Sequence, residues 1–116
     1  MFEYERLIAF KKAKRFYVQI RPLISSKNSL MYFEKDQLGR SALSVVANIA
    51  EGNGAHSSKA KANYFRIARG SISEAAAILS VLFDCDILTK DDYSNLHDLA
   101  GEISKMLYSL MRKSTS

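Results

Sequence analysis

The side chains that most often carry catalysis or bind metals are few and scattered in this sequence. The two histidines, His56 and His97, have no Cys, Asp or Glu at a recognised zinc spacing. Cys85 is flanked by Asp84 and Asp86, and two carboxylates disfavour the thiolate that a catalytic cysteine needs. The sequence contains no Gly-rich phosphate-binding motif, no HExxH motif and no GxSxG motif. We therefore predict a protein that is not an enzyme and that holds no metal or cofactor.

The basic side chains are a second source of chemistry, and they are unevenly distributed. Residues 1–70 contain 13 Lys and Arg against 5 Asp and Glu, whereas residues 71–116 contain 4 against 7. Such a basic region can bind nucleic-acid phosphates. It can also complement an acidic surface within a bundle or between subunits, and both interpretations stay open. The cations predicted to contact phosphates are Lys11, Lys12, Lys14, Arg15, Arg21, Lys35, Lys59 and Lys61.

Two polar clusters flank a short turn near the middle of the chain. In an antiparallel helix pair, residues equidistant from the turn meet, so we expect Asn48 and Glu51 near Tyr64, and Arg40 near Glu74. Our main interpretation is a buried polar network that fixes the register of the helices. A pocket for a small ligand or phosphate and a subunit interface are the alternatives. The cluster residues are Asn48, Glu51, Arg66, Arg69, Ser71 and Glu74.

Composition indicates one globular domain spanning residues 1–116. Apolar residues make up 47% and charged residues 25%, while one Pro and five Gly leave little room for a turn-rich β fold. The single Cys85 cannot form an internal disulfide, which favours a reducing compartment. The N-terminal segment lacks the apolar region of a signal peptide, and no apolar run approaches the roughly 20 residues of a membrane span. We predict a cytoplasmic protein that does not enter a membrane.

The elements that position these side chains are predicted from apolar spacing. Apolar residues recur every three or four positions in four segments, at about 4–25, 30–51, 58–84 and 90–113. Short loops join them, so we predict an all-α, antiparallel, up-down-up-down four-helix bundle. Pro22 should kink or end the first helix, and Gly52 should form a left-handed cap after the second. Ser57 or Ser58 should cap the third helix, and Thr89 the fourth.

Two motifs resemble a known family. The segments Ala47–Gly52 (ANIAEG) and Tyr64–Glu74 (YFRIARGSISE) resemble the signature of four-helix bundle proteins encoded in 23S ribosomal RNA intervening sequences. The resemblance spans roughly residues 7 to 112. It implies an antiparallel four-helix bundle, a basic surface and a ring-like homo-oligomer, with a pentamer as the expected assembly. A cousin group, the accessory proteins of diversity-generating retroelements, binds a reverse transcriptase and nucleic acid.

The functional prediction combines the charge pattern with the resemblance. Our leading hypothesis is a non-enzymatic, oligomeric protein of this family that binds RNA or DNA through its basic surface. The alternative is a protein–protein scaffold or adaptor with no nucleic-acid role, motivated by the acidic second part of the chain. The resemblance carries no catalytic residue over to this sequence.

Overall fold

The computed structural model describes residues 7–26 and 29–115 of the chain. The described residues form four helices: α1 is Ile8–Ser26, α2 is Tyr32–Gly54, α3 is Ser58–Asp84 and α4 is Lys90–Thr115. The all-α prediction is therefore confirmed. The bounds of α3 agree with the prediction, whereas α2 begins and ends later than expected and α4 runs two residues further. The predicted start of α1 near residue 4 lies outside the described residues.

Contacts between consecutive helices show that they run antiparallel. The Ser44 and Ser71 hydroxyls are 2.9 Å apart between α2 and α3. The rings of Phe83 and Tyr93 stack at 4.6 Å between the end of α3 and the start of α4. In addition, α1 packs against α2 and α4, while α3 packs against the same two helices. The predicted up-down-up-down bundle is confirmed.

Each helix contributes one buried apolar stripe to the core, which is why the spacing of apolar residues predicted the helices. Burying a large apolar side chain stabilises a fold by about 1.5–3 kcal/mol. In α1 the stripe includes Phe16, which is fully buried although the sequence analysis did not single it out. Among the largest fully buried side chains are Phe16, Ile20, Leu38, Ile49, Phe65, Ile72, Leu79, Ile103 and Leu107.

Two predicted N-terminal caps are present. The Ser57 hydroxyl accepts a hydrogen bond from the Ala60 amide at 3.0 Å, so Ser57 rather than Ser58 caps α3. The Thr89 hydroxyl accepts one from the Asp92 amide at 3.1 Å at the start of α4. Each cap satisfies an amide that would lack a partner in the first helical turn.

One prediction about a helix end is wrong. Gly52 does not form a left-handed cap, because α2 continues through it to Gly54 and no described glycine has a positive φ. Gly52 is instead buried where α2 crosses α3, and a Cβ there would lie 2.8 Å from Phe65 Cε1. For Pro22 the structure excludes one of the two alternatives, an end of the helix, because α1 continues through Pro22 to Ser26, close to the predicted end near residue 25. The left-handed residue in the described chain is Asp86, with φ 61°, in the turn after α3.

Candidate nucleic-acid interface

One end of the bundle concentrates positive charge. Because consecutive helices are antiparallel, the start of α3 and the end of α4 lie at the same end. This end comprises the described residues of α2 after Ser44, of α3 before Ser71 and of α4 after Glu102. Among these residues Glu51 is the only acidic side chain. We call this the basic end; its cations on α3 and α4 are Lys59, Lys61, Arg66, Arg69, Lys105, Arg112 and Lys113.

The opposite end carries carboxylates around the turn from α3 to α4. We call it the acidic end and define it by Asp84, Asp86, Asp91 and Asp92, all of which are exposed. The bundle is 44 Å long, several times the Debye length of about 8 Å at physiological ionic strength. A ligand bound at one end is therefore screened from the charges of the other.

The eight cations predicted to bind phosphates do not form one surface. Lys59 and Lys61 lie at the basic end, and Lys61 Nζ donates to the Asn53 carbonyl at 3.1 Å. Arg21 and Lys35 lie towards the other end, in the second part of α1 and the first turn of α2. The remaining four are carried by the first half of α1: Lys11, Lys12, Lys14 and Arg15.

Within the α1 group, Lys12 has a partner inside the bundle. Its ammonium forms an ion pair and hydrogen bond with the Glu102 carboxylate on α4. The hydrogen bond and charge of Lys12 lower the pKa of Glu102 below its usual range. Lys11, Lys14 and Arg15 are exposed, and Lys14 Nζ lies 5.2 Å from the centre of the Phe10 ring. Lys12 is thus the least available of the four for an external phosphate.

Part of the predicted polar network joins α2 to α3. The Asn48 side-chain amide donates to the Ser44 carbonyl at 2.9 Å and to the Ser44 hydroxyl at 3.0 Å. That hydroxyl meets Ser71 on α3, so the three half-buried side chains form one hydrogen-bonded chain. Gly52 adjoins Tyr64 and Phe65, as the expected register of this helix pair requires.

The other cluster residues do not join that chain. Glu51 and Glu74 are exposed and form no hydrogen bond or ion pair with a described residue. Arg40 donates to both carboxylate oxygens of Asp36 at 3.0 Å, rather than to Glu74. Arg66 donates to the Asn63 side chain on its own helix.

Arg69 belongs to a second cross-helix cluster, which sequence reasoning missed. Its Nε donates to the Ser104 hydroxyl on α4 at 3.2 Å, and its Cζ lies 4.8 Å from the centre of the Tyr108 ring. Arg112 Cζ lies 5.8 Å from the same ring, and Arg112 Nη1 is 3.5 Å from the Tyr108 hydroxyl. The antiparallel register of α3 and α4 was the available signal, because it places residue 69 opposite residues 104–108.

A groove lies one helical turn from this cluster, towards the tip of the basic end. It has a volume of about 440 Å³ and lies between the first turns of α3 and the last turn of α4. No carboxylate lines it. The lining residues are Ser58, Lys59, Ala62, Arg66, Ser114 and Thr115.

A different groove lies between α2 and α3 towards the acidic end. Its volume is about 340 Å³, and its lining is mainly apolar, with Phe33 and Val81 exposed by 65% and 56%. The carboxylates of Glu34 and Glu74 lie among its lining residues. We call it the apolar groove; Phe33, Glu34, Gln37, Glu74, Ala77, Ile78, Val81 and Leu82 line it.

Comparisons with known proteins agree with this architecture. The family model described as 23S rRNA-intervening sequence protein matches residues 5–109. The chain belongs to this family. Its fold is similar to the crystal structure of a protein of unknown function from the S23 ribosomal protein family of Bacteroides thetaiotaomicron. That protein is 26% identical, with a TM-score of 0.85 over 90% of this chain and 98% of the other. No curated protein matches the sequence.

The match to the family model includes Ser44 and Ser71 of the first cross-helix cluster and Arg69 and Tyr108 of the second, whereas Arg112 lies beyond it. Within the described chain there is no group of three or more His, Cys, Asp or Glu side chains arranged to hold a metal ion. None of the helices of the described residues is both long and apolar enough to cross a membrane.

Proposed function

We propose that this member of the 23S rRNA-intervening sequence protein family binds nucleic acid non-enzymatically, through its basic end, in the cytoplasm. The observation that supports the proposal is the sorting of charge along the bundle. All cations of α3 and α4 except Lys90 lie towards one end, and Glu51 on α2 is the one carboxylate among the described residues of α2 after Ser44, α3 before Ser71 and α4 after Glu102. Cations arranged in this way bind phosphates without reading base sequence. The exposed Lys11, Lys14 and Arg15 lie on α1, which packs against α2 and α4 but not against α3, so they form a separate basic group.

Salt dependence tests the proposal directly. Binding of the full chain to a fluorescent structured RNA and to duplex DNA would be measured by anisotropy at about 50 and about 200 mM salt. With six or more phosphate contacts, we expect affinity to fall roughly 1000-fold across that range. Absence of binding at the lower salt concentration would contradict the proposal.

A second candidate function is a self-assembling scaffold, which the apolar groove favours. Monomers seldom leave large apolar side chains exposed together, and Phe33 and Val81 are exposed beside the groove. The occupant we propose is α1 of a second copy. Its outer face has exposed Ile8 and Val18, and its lysines complement the groove carboxylates.

This contact joins two different surfaces, and contacts of that kind close into rings when the rotation between copies allows it. A homopentamer, as the family resemblance implies, is one such ring. Molar mass in solution, measured by light scattering at low and high salt, tests this candidate. We expect a molar mass that is a multiple of the chain mass and that decreases at high salt. A monomer at every protein concentration would contradict the scaffold candidate.

The charge reversal Lys11→Glu with Lys14→Glu separates the two candidates. If α1 contacts phosphates, affinity for RNA falls while the molar mass is unchanged. If α1 occupies the apolar groove of the next copy, the molar mass falls, and RNA affinity per chain is retained by the basic end.

A further inference from the structure

The Arg69–Tyr108–Arg112 cluster holds two positive charges against one ring without a carboxylate to balance them. Arg69 and Arg112 form no ion pair with any described acidic residue. The negative face of an aromatic ring attracts guanidinium groups, and this attraction holds the two side chains in place despite their mutual repulsion. The result is a concentration of positive charge that is fixed in position before any ligand arrives.

The donors of this cluster are largely unused within the described chain. A guanidinium carries five N–H donors in a planar fork. Arg69 uses its Nε on Ser104, and Arg112 uses one Nη1 donor on Tyr108. The remaining donors have the geometry that binds phosphate oxygens in pairs, which an ammonium group does not offer.

The cluster also lies in line with the groove at the basic end. Arg66 is one helical turn before Arg69, and Thr115 is one turn after Arg112. From Ser104 to Thr115 the seam between α3 and α4 is about 16 Å long at 1.5 Å per residue. That length spans at least two successive phosphates of one strand.

We propose that Arg69 and Arg112, positioned by Tyr108, clamp the phosphodiester backbone of a nucleic-acid strand lying along the α3–α4 seam. This inference rests on the proposed nucleic-acid function and assigns its main contacts to α3 and α4 rather than to α1. The ring of Tyr108 is engaged by guanidinium groups, so the clamp binds phosphates and does not stack bases. Binding at this site is therefore independent of sequence.

The first test removes the two guanidinium charges. The variant Arg69→Gln with Arg112→Gln would be compared with Arg40→Gln with Lys90→Gln, which loses the same charge towards the other end. We expect the first variant to bind RNA about tenfold or more weakly at about 50 mM salt, with a slope of log affinity against log salt lower by about 1.5. The control should change affinity less than twofold. Equal affinities of the two variants would overturn the clamp.

The second test changes the ring without changing the charge. Tyr108 is 44% exposed, so its replacement should leave the fold intact, and a thermal melt checks this. Tyr108→Leu removes the ring that positions both arginines, and we expect about fivefold weaker binding with an unchanged salt slope. Tyr108→Phe keeps the ring and should bind like the native protein. Equal binding by the Leu variant and the native protein would show that the ring does not position the arginines.

The clamp and the proposed nucleic-acid binding can be refuted separately. If the native protein binds RNA with a steep salt dependence and the arginine variant binds equally well, the clamp is wrong and the proposed function stands. If the native protein binds neither RNA nor DNA, both are wrong. A competition arm with inorganic phosphate identifies the ligand. We expect RNA to remain bound at equal phosphate concentration, whereas displacement would indicate a site for single anions and overturn the strand assignment.

Discussion

The basic and acidic ends of the bundle differ in packing as well as in charge. Towards the basic end, α2 and α3 approach so closely that only a glycine fits at residue 52 beside Phe65. Towards the acidic end, the same two helices leave the apolar groove open, with Phe33 and Val81 exposed beside it. The functions proposed above assign polyanion binding to the basic end and protein contact to the apolar groove. The following experiments test this difference between the two ends.

The largest effect is expected from polar substitution in the apolar groove. Phe33→Ser with Val81→Ser should weaken self-association about 100-fold, because each buried apolar anchor of an interface contributes at least about 1.4 kcal/mol. The measurement is the dissociation constant from sedimentation equilibrium. Leu43→Ser, at an exposed apolar position that does not line the groove, is the matched control and should change little. If RNA binding falls in the double variant while assembly is unchanged, the two ends have been assigned the wrong roles.

The next effect concerns packing at the basic end. Gly52→Ala introduces a Cβ 2.8 Å from Phe65 Cε1 and 3.1 Å from Tyr64 Cβ. Overpacking costs about 1–3 kcal/mol, and the higher helix propensity of Ala returns up to about 1 kcal/mol. We therefore expect the free energy of unfolding, measured with denaturant, to fall by about 1–2 kcal/mol.

Gly70→Ala is the matched control for that substitution, since nothing lies within 4 Å of its added Cβ. It should stabilise the protein by about 0.5–1 kcal/mol. If Gly52→Ala and Gly70→Ala changed the free energy of unfolding in the same direction, the close approach of α2 and α3 at Gly52 would be contradicted.

A smaller effect is expected at the ion pair between α1 and α4. Lys12 lowers the pKa of Glu102 in the folded protein, so the pair stabilises the fold above the unfolded-state pKa of about 4.3. That contribution is lost as the pH falls through the folded-state pKa. Glu102→Gln should slightly lower the melting temperature at pH 7 and have less effect at pH 3.

The exposure of Glu102 and screening by salt keep this change small. Glu74→Gln removes a carboxylate that has no ion pair with a described residue, so it should lower the melting temperature at pH 7 less than Glu102→Gln does. If Glu102→Gln lowered the melting temperature more at pH 3 than at pH 7, the stabilising role of this ion pair would be contradicted.

The smallest effect is expected from the acidic end. Asp91→Asn with Asp92→Asn raises the net charge by two at the end of the bundle remote from the basic end. Screening over this distance should keep the change in RNA affinity below twofold at physiological salt. If RNA affinity increased by as large a factor as it falls in Arg69→Gln with Arg112→Gln, net charge rather than the position of the charges would control binding.

The helices could be predicted well because the residues that determine each helix lie close together in the sequence. The apolar stripes, the Ser57 cap and the Thr89 cap each depend on residues within a few positions of one another. Gly52 was misinterpreted because a glycine after an apolar run fits two structures equally well. It suits a left-handed cap and also a close helix crossing, and only the position of Phe65 distinguishes them. The left-handed residue itself is Asp86, in a turn without glycine.

The candidate site was less predictable because it joins side chains that are distant in the sequence. Division of the chain at residue 70 identified a basic part, but in the folded bundle the cations at one end come from both parts of the chain. Arg112 from the second part joins Arg66 and Arg69, whereas Arg21 and Lys35 from the first part are left towards the other end. The role of Tyr108 depends on two guanidinium groups from two helices, and no local pattern in α4 indicates it.

The most direct test of the central claim is to locate RNA on the bundle residue by residue. Backbone amide resonances of the full chain would be followed by NMR during titration with a short RNA at low salt. We expect the largest shifts along the α3–α4 seam of the basic end, at Arg66, Arg69, Ser104 and Thr115, with small changes at the acidic end. Shifts concentrated at Phe33, Glu74 and Val81, in the apolar groove, would contradict the account.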